Sequence, residues 1–283
     1  MSRILRFALG GQGRAGLTRG RAARDGLAVA LVAFTALRIV TTPPPHDAYQ
    51  YWSFSTVDPY GGASLGGPAF LYSPVAAQLI APFHVLPWPV FLTTWMLLLL
   101  GAAVYLLRTH PLSFVALPFA AADLWVGNIH LLLGAMAVIA LRRPNAWAFG
   151  AFTKVTPAMG LLWPLVRGQF REVIRIATLM AVLAALSFAI SPAWWSGWVA
   201  VLQRSLSVAD PWVLPVPLVV RLPAAIGLLI WAARTDRAWL LPVAILLGLP
   251  AIRVGSLALL LAVPPLLGGG ARPDPGHGEA QAA

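Results

Sequence analysis

Cysteine is absent from the 283 residues, which excludes a disulfide scaffold and any thiolate metal site. Charge is almost as scarce: Asp, Glu, Lys and Arg make up 10% of the chain, and only nine residues are acidic. So thin a supply cannot cover a soluble surface. With 59% hydrophobic residues and a mean hydropathy of +0.78, the composition is that of an all-α polytopic membrane protein. The shortage of acids also restricts the chemistry. The two Asp-rich motifs that a membrane prenyltransferase needs to hold Mg²⁺ on a diphosphate are missing. His46 and His130 sit in no His-x-x-x-His or Glu-x-x-His spacing, so neither a metal nor another cofactor is expected.

What the chain does have is arginine, and its net charge is +11. Gathered in one patch this would point to nucleic acid, but the charge sorts by loop instead. Arg3, Arg6, Arg14, Arg19, Arg21 and Arg24 precede the first apolar run, so residues 1–25 read as a basic cytoplasmic N-terminus. The length of this region and the lack of a small-residue cleavage site argue against a signal peptide. A first spanning helix over Gly26 to Thr42 ends at Pro43-Pro44-Pro45, since proline cannot continue the ladder. Residues 43–73 then form a first outer loop, and Tyr72 to Leu86 an interfacial or re-entrant helix.

Further spans are expected at Trp88–Leu107, Leu112–Val126, Ile129–Leu141, Val173–Ile190, Val213–Ala232, Ala238–Pro250 and Arg253–Leu267. Several fall short of the roughly 20 residues a span needs. The bundle, residues 26–267, therefore has about nine to ten helices, some short or broken. A second outer loop over 191–211 carries Trp194, Trp195 and Trp198, and the Gly, Pro and Ala-rich tail 268–283 is expected to be disordered. The run from Ala146 to Val166 needs its own treatment, because one crossing would put Arg167, Arg171 and Arg175 outside. Thr153-Lys154-Val155-Thr156-Pro157 lies in its middle. Two half-length helices meeting at Lys154 satisfy both the proline and the charge rule.

Fifteen basic residues then fall on the cytoplasmic side, and Arg38, Lys154, Arg204, Arg221 and Arg253 do not. A cation at a helix centre costs roughly 2.5 to 3.5 kcal/mol on insertion scales, so these five need partners. The candidates are an anionic lipid phosphate or Asp47, Asp58, Asp123 and Asp210. The stretch from His46 to Pro74 concentrates what chemistry the chain offers. It holds two of the nine acids and four of the five tyrosines, with no Lys or Arg.

Asp47 followed by Tyr49, the Tyr72-Ser73-Pro74 entry to a short helix and the Leu86-Pro87 break resemble the N-terminal half of the GT-C membrane glycosyltransferases. The segment from Gly127 (GNIHLLLGAMAVIALRRP, then AFGAFTKVTPAMGLLWPLVRGQFRE) is similar to an element of glycosyltransferase family 87, the DUF2029 type. That element is a Gly-Gln-x-Asn helix followed by Lys-x-x-Pro and a basic loop. The resemblance covers about residues 25 to 175. Two departures stand out: Tyr72-Ser73-Pro74 in place of Tyr-Pro-Pro, and Gly127-Asn128-Ile129-His130 in place of Gly-Gln-x-Asn. The chain is also short at its C-terminal end against that pattern.

The resemblance implies a GT-C-like fold in a bacterial plasma membrane, and transfer of a hexose, mannose first, from a polyprenyl-phosphate donor. The acceptor would be a lipid or glycan on the extracytoplasmic face, with membrane lipids the only other partners expected and no nucleic acid. Asp47 would be the general base, and Lys154, Arg253 and Arg204 would hold the donor phosphate. His46, Tyr49, Asp58, Tyr72, Asp123, Asn128 and His130 would line the substrate site.

Each of these residues also has a plainer reading. Asp47 follows three prolines and can cap the next helix. Asp58 precedes Pro59 and a Gly pair and suits a turn. Asp123 can neutralise Arg38 or Arg253, Lys154 can snorkel, and the tyrosines can sit at the interface. A lipid-linked substrate transporter with midplane sites on broken helices, or a non-catalytic protein keeping the fold, are the competing functions. The acids gather at one face and no inverted repeat is visible, which disfavours the transporter.

Overall fold

The computed structural model describes residues 14–61, 70–107, 113–154, 156–206 and 216–267, and among these there are helices and no strand. The chain opens with α1 (Arg14–Val40), longer than the sequence suggests, because Ala, Arg and Leu carry the helical ladder back through the basic segment. It stops just before the three prolines. A short helix, α2 (His46–Ser53), follows at once. Beyond residue 69, α3 (Pro74–Ile80) tightens into a 3₁₀ turn at Ala81–Val85, matching the short helix expected there.

Next come α4 (Trp88–Leu107), α5 (Ser113–Val126) and α6 (His130–Ala140). α7 (Trp147–Thr153) breaks at Lys154, whose backbone is extended. A 3₁₀ segment, Thr156–Leu161, then leads into α8 (Leu162–Val166). The interruption therefore falls at the residue that charge and proline together pick out. Among the described residues, α9 (Phe170–Ile190) and α4 are the two helices long and apolar enough to cross a membrane. Only Ile176 and Ser187 of α9 are buried, so most of its apolar surface faces outward, as a lipid-facing helix requires.

The segment after Ser191 differs from expectation. It is not a loop but a helix, α10 (Pro192–Leu206), and its tryptophans dock inward. Trp198 Nε1 donates to the Leu71 carbonyl at 3.3 Å and Trp195 Nε1 to Ser187 Oγ at 3.2 Å. The chain ends with α11 (Leu218–Arg234), α12 (Leu241–Gly248), a 3₁₀ run at Val254–Ala262 and α13 (Val263–Leu267). Nine residues of 3₁₀ helix are unusual, and a rise of about 2.0 Å per residue stretches this segment farther than α geometry would. It packs against α5 and α6, while α4 packs against α1 and α6. The tail, Arg108, Arg272, Asp210 and the Gly-rich part of the first loop lie outside the described residues.

Two of the five exceptional cations are neutralised by neither carboxylate nor solvent. Arg38, 3% exposed, donates to the carbonyls of Trp125 and Pro43, each at 2.8 Å, and to Thr41 Oγ1 at 3.1 Å, with its guanidinium over the Trp125 ring. Arg221, 7% exposed, donates to the carbonyls of Val216, Leu247, Leu249 and Pro250 at 2.7 to 3.0 Å. Helix ends leave carbonyls without intrahelical partners, and a guanidinium at that negative end satisfies several together. Asp123 is thus not the partner of Arg38. At the loops after α6, α8 and α11, Arg175 donates to Asn145 and Glu172, and Arg167 to Asp236 and the Ala233 carbonyl. Three basic loops are joined in this way at one end of the bundle.

The described helices make this an all-helical membrane protein, held by two apolar clusters. One gathers α1, α4, α5 and α6 around Leu99, Leu106, Leu124 and Leu131. The other gathers Tyr51, Trp147, Leu241 and Ile245.

Candidate functional site

The site is built on the turn between α5 and α6. Gly127 takes a positive φ of 70°, which only glycine adopts without strain, and a Cβ there would lie 2.7 Å from the Ala48 Cβ. The missing side chain lets α2 close against the turn. Two main-chain bonds to the Asp123 carbonyl, from Gly127 N at 2.8 Å and Asn128 N at 3.2 Å, hold the turn. Trp95 Nε1 donates to the Gly127 carbonyl at 2.8 Å, seven residues into α4 and so about 10 Å along its axis from Trp88.

Closure of α2 brings Asp47 to Asn128. The Asn128 side-chain oxygen accepts from Ile129 N at 2.7 Å, so its amide group faces outward and donates to Asp47 Oδ2. The other carboxylate oxygen lies 3.0 Å from His46 Nδ1. Asp47 forms no helix cap, since α2 has no side-chain cap at all. Its side chain is 25% exposed and that of His46 is 61% exposed, so the carboxylate is reachable while both oxygens are oriented.

Lys154 meets the same turn where it enters α6. Its Nζ is 2.7 Å from His130 Nε2, and His130 Nδ1 is 2.8 Å from Asp123 Oδ1. The second Asp123 oxygen accepts from Leu131 N at 2.9 Å, satisfying one of the orphan N–H groups at the start of α6. The sequence suggests that Asp123 and His130 line the substrate site; the structure instead seals them, at 0% and 4% exposure. His130 links Asp123 to Lys154. The ammonium in turn is within electrostatic reach of Asp47, Asp123 and Arg253.

Why α7 breaks at Lys154 becomes clear from Ser73. Its main-chain N and its Oγ both donate to the Phe152 carbonyl, at 3.3 and 2.6 Å. A carbonyl that the interrupted helix would leave orphaned is therefore satisfied from α3. Proline in place of Ser73 would supply neither donor. Ser256 Oγ accepts from Arg253 N at 3.2 Å and approaches His130 Nε2 at 3.3 Å, joining the 3₁₀ run to the same cluster. Gly255 packs its backbone against Asp123. Ser73 and Ser256 are not visible as site residues in the sequence, because a lone serine carries no spacing signal. Nearby, the Thr156 hydroxyl is buried without a hydrogen-bond partner among the described residues.

The remaining candidates lie away from the turn. Tyr72 is buried, and its hydroxyl meets that of Tyr51 at 2.5 Å, while the Tyr60 hydroxyl donates to the Tyr72 carbonyl at 2.8 Å. Burial pushes all three phenols up, so they stay protonated and act as a framework for the first loop. Asp58 is exposed and accepts from Tyr60 N at 3.2 Å, a turn contact. Tyr49 packs against the rings of Trp52 and Trp88 at the surface. Arg204 reaches the Tyr60 carbonyl at 3.5 Å. Arg253 is exposed at the head of the 3₁₀ run.

Chemically, then, the turn brings together an oriented and accessible carboxylate and an ammonium within electrostatic reach of it. No curated protein and no solved structure matches the chain. The family model described as Glycosyltransferase family 87 matches residues 70–268, more than two thirds of the sequence. The matched span includes Asp123, Asn128, His130, Lys154 and Arg253, while Asp47 precedes it. With a match from the short α3 to the end of the bundle, the chain belongs to glycosyltransferase family 87.

Proposed function

We infer that this glycosyltransferase moves a hexose, mannose first, from a polyprenyl-phosphate donor to a hydroxyl of a lipid or glycan acceptor. The reaction takes place at the extracytoplasmic face of a bacterial plasma membrane, with the arginine-rich loops on the cytoplasmic side. Asp47 takes the proton of the acceptor hydroxyl as its oxygen attacks the anomeric carbon. The bond from that carbon to the phosphate oxygen breaks, the electron pair leaves with polyprenyl phosphate, and the configuration inverts. Lys154, with Arg253 at the head of the 3₁₀ run and Arg204 beside the first loop, balances the charge that grows on the departing phosphate. Asn128 holds the Asp47 carboxylate in place.

The observation that supports this reading is that Asp47 and Lys154 are tied to one turn, through Asn128 and His130, within electrostatic reach of each other. A base and a phosphate cation must face the two sides of one reacting carbon. The test uses membranes containing the protein, supplied with radiolabelled polyprenyl-phosphate-mannose. Transfer to endogenous acceptor is expected, and Asp47→Asn lowers it by about 10² to 10⁴-fold, the contribution of a positioned base, without reducing the amount of protein. Full transfer by Asp47→Asn would remove that residue from the mechanism. Absence of transfer from polyprenyl-phosphate sugars, with transfer from another donor, would remove the donor assignment.

A further inference from the structure

A lysine can only donate hydrogen bonds, and this fixes the direction of every bond behind it. With Lys154 Nζ donating to His130 Nε2 at 2.7 Å, that nitrogen carries the lone pair and Nδ1 carries the hydrogen. The Nδ1 hydrogen then goes to Asp123 Oδ1 at 2.8 Å. The result is a line of three side chains from α5, the head of α6 and the α7 break: carboxylate, neutral imidazole, ammonium. The Asp123 and Lys154 charges offset one another across an imidazole that stays uncharged, so the buried line carries no net charge. One ammonium hydrogen is spent on it. Two remain, and no other hydrogen bond from Nζ is formed among the described residues.

We propose that Asp123 and His130 are positioning residues that lock the Lys154 ammonium in one orientation, with its two free hydrogens directed at the phosphate of the polyprenyl-phosphate donor. The proposal rests on the assignment of Lys154 to that phosphate. A lysine on a four-carbon stem is otherwise a mobile point charge. Fixing one of its three hydrogens aims the other two, and the ordering is completed before the ligand arrives rather than on binding. His130 is held in turn, because Asp123 sets its tautomer and Ser256 lies 3.3 Å from the same Nε2.

Asp123→Asn separates this role from a merely structural one. The amide oxygen can still accept from Leu131 N, so the head of α6 keeps its bond. Its NH₂ group, however, turns a donor toward His130 Nδ1 and forces the hydrogen onto Nε2, where it opposes the ammonium. Lys154 is the sole lysine of the chain, so selective ¹⁵N-lysine labelling of the purified protein gives one Nζ resonance. That resonance is expected to move in Asp123→Asn and in His130→Ala, and to stay in place in Tyr60→Phe, which removes a distant hydrogen bond. In transfer assays, Asp123→Asn is expected to raise KM for the polyprenyl-phosphate donor by about tenfold or more, with acceptor KM unchanged. Farnesyl phosphate, as a competing ligand, is expected to lose affinity in parallel.

An Nζ resonance unmoved by both variants overturns the proposal, as does a shift accompanied by unchanged donor KM and farnesyl phosphate affinity. If Lys154→Met weakens donor binding while Asp123→Asn does not, the positioning role fails and the phosphate assignment stands. If Lys154→Met leaves donor binding intact, the phosphate assignment fails, and with it the target of the positioning.

Discussion

Arg221 ends four of its N–H groups on main-chain carbonyls, whereas Lys154 gives one hydrogen to an imidazole and keeps two. Both cations sit inside the same helical bundle, and the cost of putting them there is comparable. The arginine cage is finished: nothing further has to bind for its guanidinium to be satisfied. Arg38 is held in the same manner by the ends of α1 and α5. The lysine ammonium keeps two of its hydrogens without a partner among the described residues, and Asp47 is within its electrostatic reach. A buried charge that the fold satisfies completely is part of the scaffold, and one that it satisfies in part is where a ligand's charge fits.

Substitutions can break or sharpen that contrast. The largest effect on transfer within it is expected at Lys154. Lys154→Met should lower donor turnover by about 10 to 100-fold, the value of one or two charge-assisted hydrogen bonds, measured as kcat/KM for the polyprenyl-phosphate donor. Thermal stability should fall as well, because the buried Asp123 carboxylate loses the ammonium that offset its charge, so transfer is normalised to folded protein. Equal transfer by wild type and variant would make Lys154 another scaffold cation.

Gly127→Ala should come next, with a loss of about tenfold in transfer. The left-handed conformation costs a non-glycine residue about 1 to 2 kcal/mol, and the new methyl pushes on Ala48, moving Asp47 away from Asn128. Its signature is a fall in kcat at unchanged donor KM, since Lys154 stays where it is. A fall in donor affinity alone would mean that the turn serves the lysine rather than the carboxylate.

Arg221→Met is expected to have the smallest effect on transfer, within twofold per folded molecule. It should nevertheless destabilise the protein by about 2 to 4 kcal/mol, because several carbonyls lose their donor in a buried site. A detergent-solubilised melting curve and an assay normalised to folded protein separate the two. Strong loss of transfer in well-folded Arg221→Met would erase the distinction between cage and site.

Much of this bundle can be read before any coordinates, because membrane helices are limited by apolar length and by where arginines and prolines fall. The break at Lys154 is the clearest case: a proline, two threonines and a charge in one apolar run leave a single solution. α6 and the short α3 follow from the same reasoning. Asp47 stands out because acids are so few. What the sequence hides is contact made through the main chain. The cages around Arg38 and Arg221 consist of carbonyls, which every residue has, so no side-chain pattern announces them. Asp123, His130 and Lys154 come from three separate segments, and only the packing of α5, α6 and α7 lines them up. Ser73 shows the same limit from another side, since its role depends on an orphan carbonyl 79 positions away. The helix at Pro192–Leu206 was hidden by its tryptophans, which suit an interfacial loop equally well.

The carbonyl cages have an implication for how such a chain can drift. Since Arg221 asks only for a main-chain path, the bonds that hold it do not depend on which side chains stand at positions 216, 247 and 249, as long as the backbone trace is kept. The Asp123, His130 and Lys154 line has no such latitude, because each member is recognised by its own side-chain atoms. Over many generations the first arrangement would blur in a set of diverged copies while remaining physically intact, and the second would either persist letter for letter or vanish as a unit.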